Sequence, residues 1–381
     1  MTASKKVYDV VVVGAGLSGL QAAVAIRAAG FTVCVLEATN RVGGKTLTVK
    51  SSEKGYNDLG AAWINDTNQS EMFKLFQKYG LDTEVQRACG DTIIHLADGS
   101  VEKVPYGQLS YLMISNRRIS IPFNRADELG NQTISKKLAE ELGSRSVFLS
   151  KPVASVSQYE GGHGVIVVTQ SGESFYGRKA IISIPTTLYP TITFNPPLPA
   201  KKTALSDNTV MGYYSKTVFV FKEPWWQTAG LSGIFDSEVG PISFTRDTSI
   251  PADDQWSITC FIVGDRGRQW SKLSRAARHK QAWDQFSQTF GKYVNNIPEP
   301  ANSLEMEWSK QGFFLGAPCP VMTPGILTTV GTELATPFGD VHFVGTETST
   351  IWRGYMEGAV RSGQRGGAEV VKELVDELSA R

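Results

Sequence analysis

The sequence predicts an α/β protein that opens with a doubly wound, parallel-sheet unit and continues into a mixed-sheet α+β unit. Three observations carry this. A β-branched apolar run, Val7–Val13, passes through a glycine turn into an Ala-rich helical stretch, and a second apolar run follows. A stiff proline segment, Asn195-Pro196-Pro197-Leu198-Pro199, interrupts the chain near its middle and reads as a crossing between units. Beyond it, strand patterns and one polar helix pattern mix without the alternation of the opening residues. At 381 residues the chain is long enough for more than one core.

The elements follow in order. Val7–Val13 is continuously apolar, as a strand buried on both faces must be, and Leu17–Ala29 suits a helix closed by Gly30. Phe31–Leu36 completes a βαβ unit. Ser70–Tyr79 reads as a helix closed by Gly80, after which the pattern weakens up to Gly130, with short strands at Thr92–Leu96 and Val101–Val104. Ile134–Leu142 suits a helix; strands follow at Val165–Thr169 and Ala180–Ser183, with a hairpin-like region around Gly161–Gly164. Strands are expected at Lys216–Phe221 and Ser257–Val263, and a helix near Ala276–Phe290. A last strand, Val341–Val344, runs into Gly345 before a terminal helix from about Glu357. The expected division places 1–80, 126–195 and 318–381 in the first unit, and 81–125 and 196–317 in the second.

Composition excludes several classes. The chain is 41% hydrophobic and 20% charged with a formal net charge of +1, which gives no reason to expect nucleic acid or an anionic membrane as partner. Cys34, Cys89, Cys260 and Cys319 lack metal-type spacing and suit reduced thiols, so no metal is expected. The apolar runs are too short for a membrane span, and Val7–Val13 is too short for a signal peptide. The final Ser-Ala-Arg is not a Ser-Lys-Leu-type peroxisomal address, so the cytoplasm is the expected compartment, with the peroxisome as the alternative.

Gly14-Ala15-Gly16-Leu17-Ser18-Gly19 lies between strand and helix. Its glycines allow a tight turn, approach of backbone to a pyrophosphate, and close helix–sheet packing, while the helix N-terminus offers N–H groups to phosphate. Glu37 ends the second strand, followed by Ala38, where a carboxylate can accept hydrogen bonds from an adenosine ribose; a chance acidic residue is the alternative. Arg41-Val42-Gly43-Gly44 then adds backbone donors and a cation for a second approach to the pyrophosphate, which tilts the reading from a nicotinamide cofactor to FAD; a surface turn is the alternative.

With Asp58-Leu59-Gly60-Ala61-Ala62-Trp63, Lys222-Glu223-Pro224-Trp225-Trp226, Phe343-Val344-Gly345-Thr346-Glu347-Thr348 and Trp352-Arg353-Gly354-Tyr355-Met356-Glu357-Gly358-Ala359, the sequence resembles the flavin-containing monoamine oxidase family, particularly its soluble fungal-type members. The resemblance implies a discontinuous FAD-binding domain and oxidation of an amine, with dioxygen as acceptor and imine and hydrogen peroxide as products. It implies FAD contacts from Gly60, Ala61, Ala62, Trp63, Val153, Gly345, Thr346, Glu347, Tyr355 and Met356, and from Lys45, which stands where relatives usually carry arginine. It places Lys216 where the family lysine holds a water at the flavin, and Tyr355 as one wall of an aromatic cage. An edge-strand lysine and a core tyrosine are the plainer alternatives. Counting back from Pro324-Gly325-Ile326-Leu327 puts Pro318 at the opposing wall, unless Phe313, Phe314 or Trp63 takes that place, so Trp63, Pro318 and Tyr355 are the expected substrate pocket.

The same count puts Ala317 where mitochondrial relatives attach flavin covalently, with the Cys319 side chain expected to point elsewhere, so the FAD is expected to dissociate. The stretch from Gly80 to Gly130 is shorter than in typical relatives, which would open the flavin face to water unless a partner subunit, as in a homodimer, covers it. Three readings follow: an amine oxidase, a flavin oxidase repurposed for a bulky natural-product intermediate of secondary metabolism, and a flavin-binding pseudoenzyme. For a substrate with an acid group, Arg117, Arg118 and Arg353 are the candidate arginines.

Overall fold

The computed structural model describes residues 6–107, 119–123, 130–159 and 164–380, with backbone alone over 119–123. The opening run forms β1 (Val7–Val13), the glycine turn leads into α1 (Leu17–Ala28), and β2 (Val33–Leu36) returns parallel to β1, with Val10 beside Val33 and Val13 beside Leu36. This strand begins at Val33 rather than Phe31. Asp9 and Thr32 exchange bonds through their side chains (Thr32 N to Asp9 Oδ2, 2.8 Å; Asp9 N to Thr32 Oγ1, 2.9 Å), which closes the ladder early.

Among the described residues the first sheet has eight strands. On one side of β2 lies Val147–Phe148; on the far side of β1 lies Ser174–Ile182, again parallel. That strand starts earlier than its apolar end suggests, because its edge away from β1 serves two neighbours. Its polar first half pairs antiparallel with Val165–Val168, while Ala180–Ile182 pairs parallel with Val341–Phe343. Val153–Gln158 pairs antiparallel with Val165–Thr169, next to the expected hairpin-like region; residues 160–163 lie outside the described residues. Side chains of β1 alternate as a strand requires. Val10 and Val12 meet Leu20, Ala23, Ile134, Val360 and Val370 of the covering helices, whereas Val11 and Val13 face Val156, Val167 and Tyr189.

Among the described residues the second sheet has seven strands, in the order Asn302–Glu307, Tyr214–Phe221, Trp256–Val263, Phe244–Asp247, Leu231–Ser237, Asp91–His95, Val101–Pro105. One face packs on the helix Arg275–Phe290 through Phe219, Phe221, Trp226, Phe286 and Phe290; the Phe219 and Phe286 ring centroids are 5.0 Å apart. Each such fully buried ring contributes about 1.5–3 kcal/mol by leaving water. The other face carries Lys216, Val218 and Val220, and turns toward the first sheet.

Candidate active site

A cavity of about 1000 Å³ joins the two sheets. Val13 and Leu36, at the C-terminal ends of β1 and β2, line it together with Ser183 and Gly345, which follow two further parallel strands; Tyr214, Lys216 and Phe261 come from the second sheet. Ligands of open α/β sheets bind at such strand ends.

At the dinucleotide end, Gly14 has φ +104°, and a Cβ there would stand 2.6 Å from the Ser183 carbonyl oxygen. A Cβ on Gly16 would meet nothing within 4 Å, so this glycine leaves its side of the turn open to a ligand. α1 begins without a side-chain cap, and its first amides stay available to an anion. Gly14, Gly16, Leu17 and Ser18 line the cavity; Ala15 and Gly19 do not. The Ala15 amide instead donates to Glu37 Oε2 (2.8 Å), while Gly19 seats the helix on the turn. Glu37, 6% exposed, also accepts from Thr39 N (2.9 Å), so its carboxylate is fixed on the wall beside Ala38, with Val153 nearby.

Gly43, Gly44 and Lys45 line the cavity, but Arg41 does not. Arg41, expected to face the phosphates, donates from Nη2 to Gly44 O (2.7 Å) and from Nη1 to Thr46 O (3.0 Å), and so braces the glycine loop. Burial lowers the pKa of Lys45, against the opposing charge of Glu347. Burial raises that of Glu347, which accepts from Thr186 N (3.1 Å). Thr346 and Met356 complete this side, Met356 opening the helix Met356–Ser379 with Tyr355 as its N-cap.

At the other end, Lys216 is 4% exposed and lies on an interior strand, so it is no edge-strand lysine. Its Nζ donates to the carbonyls of Asp58 (3.0 Å) and Gly60 (2.5 Å) and stands 5.3 Å from the ring centroids of both Trp63 and Phe261. Burial lowers its pKa to about 8, against the charge of Asp58. Gly60, Ala61, Ala62 and Trp63 lie on the wall around it. Tyr355 and Pro318 line the mouth; Tyr355 is 56% exposed and meets Trp352 edge-on at 5.0 Å. Cys319 also lines the cavity, and its Sγ lies 3.1 Å from where a Cβ on Gly354 would stand. Among the described residues no group of three or more acidic, histidine or cysteine side chains could hold a metal, and no helix is long and apolar enough to cross a membrane.

The family model for flavin containing amine oxidoreductases matches residues 17–112 and 102–371. The chain belongs to this family. Flavin-containing amine oxidase B of Sus scrofa is 28% identical over 460 residues, covering 96% of this chain and 86% of that protein. A probable flavin-containing monoamine oxidase A of Dictyostelium discoideum is 27% identical over 457 residues, covering 97% and 98%. Among solved structures, putrescine oxidase bound to putrescine superposes with a TM-score of 0.86 at 22% identity, covering 97% of this chain and 100% of that one. Cyclohexylamine oxidase from Brevibacterium oxydans gives 0.86 at 24%, covering 96% and 99%.

The chain is therefore an FAD-dependent amine oxidoreductase, with a Rossmann-type FAD unit and a mixed-sheet partner. The two stretches of the family match meet at residues 102–112, inside the region read from the sequence as shortened. The glycine cradle, the open side of Gly16 and the uncapped helix N-terminus fit the dinucleotide. Sequence reasoning missed Tyr214, Phe261 and Ser183. Tyr214 stands two residues before Lys216, so strand periodicity alone would have put it on the same face. Phe261 depends on strand register, which no local pattern states. Of the arginines expected to meet an acid group, Arg353 lines the cavity, while Arg117 and Arg118 lie outside the described residues.

Proposed function

We propose that this enzyme oxidises the C–N bond of a neutral amine to an imine, with dioxygen as the final acceptor and hydrogen peroxide as co-product. The placement of Lys216 carries the reading: a buried ammonium in the cavity wall, clamped by two carbonyls between aromatic rings. FAD, when bound, supplies the two-electron acceptor for a hydride equivalent leaving the amine-bearing carbon and passes the electrons on to dioxygen. The protein's share is positioning in dry surroundings.

Two of the three Lys216 donors are used; the third is free among the described residues to hold a water at the reacting centre. Its positive charge disfavours an ammonium beside it and so selects the neutral amine. Tyr355 supplies one aromatic wall, and Tyr214, whose phenol burial pushes up to about 12, stays neutral on the opposite sheet. FAD is held without a covalent link, since Ala317 offers no thiol and burial pushes up the thiol of Cys319.

Anaerobic mixing of the holoenzyme with a panel of primary and secondary amines tests the proposal. At least one amine is expected to bleach the visible absorbance of oxidised flavin; no bleaching with any of them overturns it. Acid precipitation is expected to release all the flavin into the supernatant, and flavin retained on the pellet would disprove the dissociable link.

A further inference from the structure

We propose that Gln69, with Asn68 beside it, holds the imide edge of the flavin ring, where one N–H lies between two carbonyls. The inference rests on FAD as the cofactor and is independent of which substrate the enzyme takes.

The short strand Ile64–Asn65 lies on the cavity wall and ends in a tight turn, in which Asn65 Oδ1 accepts from Thr67 N (2.8 Å) and Asn68 N (3.3 Å). Gln69 then takes the N-cap position of the helix Ser70–Lys78, yet its side chain makes no capping bond. Glu357, fully buried in the first turn of the terminal helix, caps that helix from outside, accepting from Glu71 N (3.2 Å) and Met72 N (2.7 Å). Trp352 Nε1 donates to Asn68 O (2.7 Å), which pins the loop against the segment that opens the terminal helix. The Gln69 carboxamide is thereby released from its own helix.

Gln69 lines the cavity and is only 6% exposed, and among the described residues its carboxamide makes no hydrogen bond. Asn68 lines the cavity too, and its Oδ1 is buried without a partner. Folded proteins seldom leave such groups unpaired, so their partner is what fills the cavity. Position says which part of the dinucleotide that is. Ile64 directly follows Trp63, whose ring lies 5.3 Å from Lys216 Nζ, so the loop belongs to the end away from Glu37 and meets the ring rather than the adenosine. A carboxamide presents an acceptor and a donor side by side, which match the imide N–H and a neighbouring carbonyl. The terminal helix opens without a side-chain cap, leaving its first amides for the other carbonyl, where negative charge collects on reduction.

The apoprotein is titrated by fluorescence with FAD and with N3-methyl-FAD, whose methyl group replaces the imide hydrogen. The unaltered protein is expected to bind FAD about tenfold or more tighter than the methylated form, as a buried hydrogen-bonded pair allows. Gln69→Leu should weaken FAD about tenfold and bring that ratio toward unity, while ADP, which reaches only the nucleotide end, should bind both proteins alike. Gln69→Glu keeps the shape but sets a negative charge beside the reduced flavin. Its midpoint potential, read by dye equilibration, should fall by about 30 mV or more, a tenfold change in a two-electron equilibrium. If Gln69→Leu keeps the affinity and the ratio of the unaltered protein, if ADP weakens along with FAD, or if the potential of Gln69→Glu does not move, Gln69 serves the fold alone and the proposal is overturned. No amine enters these measurements, so their failure leaves amine oxidation standing, and a failed amine screen leaves the imide contact standing.

Discussion

Lys216 shows how a single side chain trades stability against chemistry. Burial brings its pKa from 10.5 down to about 8, so between those values the unfolded chain holds the proton that the folded one has lost. Stability therefore rises with pH through that window, and below it the protein bears the cost of a buried charge. Lys216→Met should raise the midpoint of thermal unfolding at neutral pH while lowering the rate of flavin reduction about tenfold or more; stopped-flow and calorimetry on the same preparation check both. The variant should also lose an ionisation near pH 8 from the rate profile, and a profile identical to that of the unaltered enzyme would remove Lys216 from the reaction. Glu37→Gln tests the other end of the cavity. The carboxylate holds Ala15 N and Thr39 N, so its loss should weaken FAD affinity about tenfold, read by fluorescence titration of the apoprotein.

Among the elements, the terminal helix has the tightest seat. A Cβ on Gly363 would stand 2.4 Å from Ser18 O of α1, and one on Gly366 would stand 2.2 Å from Val344 Cγ1. Gly363→Val should force that helix off α1, costing about 2 kcal/mol or more by urea unfolding and loosening the wall that Met356 and Ala359 present to the cavity. The paired strands and helices that keep one strong period were legible from local pattern: β1 matches its expected limits, and the helix Gln132–Leu142 gained only two residues at its start. The strands Leu231–Ser237, Phe244–Asp247 and Asn302–Glu307 were not legible. They are interrupted by polar residues such as Asp236 and Arg246, and only neighbouring strands make them strands.

For the whole molecule, cavity and fold are coupled through the cofactor. A ligand bound only by the folded chain stabilises it by RT ln(1 + [L]/Kd), about 2.7 kcal/mol at a hundredfold excess over Kd. Added FAD should therefore raise the unfolding midpoint progressively, and Glu37→Gln should need proportionally more FAD for the same rise. A midpoint indifferent to FAD would contradict a cradle built from both ends of the chain.

The sequence by itself determined the βαβ opening, the glycine turn with its acidic partner Glu37, and the family, because each is written in residues close together along the chain, where period, turn and helix-start chemistry act locally. Only the tertiary structure decided that Arg41 hydrogen-bonds to its own loop, that Cys319 lies on the cavity wall, and that Lys216, Phe261, Phe244 and Arg246 share one face. Those outcomes depend on register between distant strands and on which backbone carbonyl happens to lie within reach of a long side chain, and neither is encoded in local spacing.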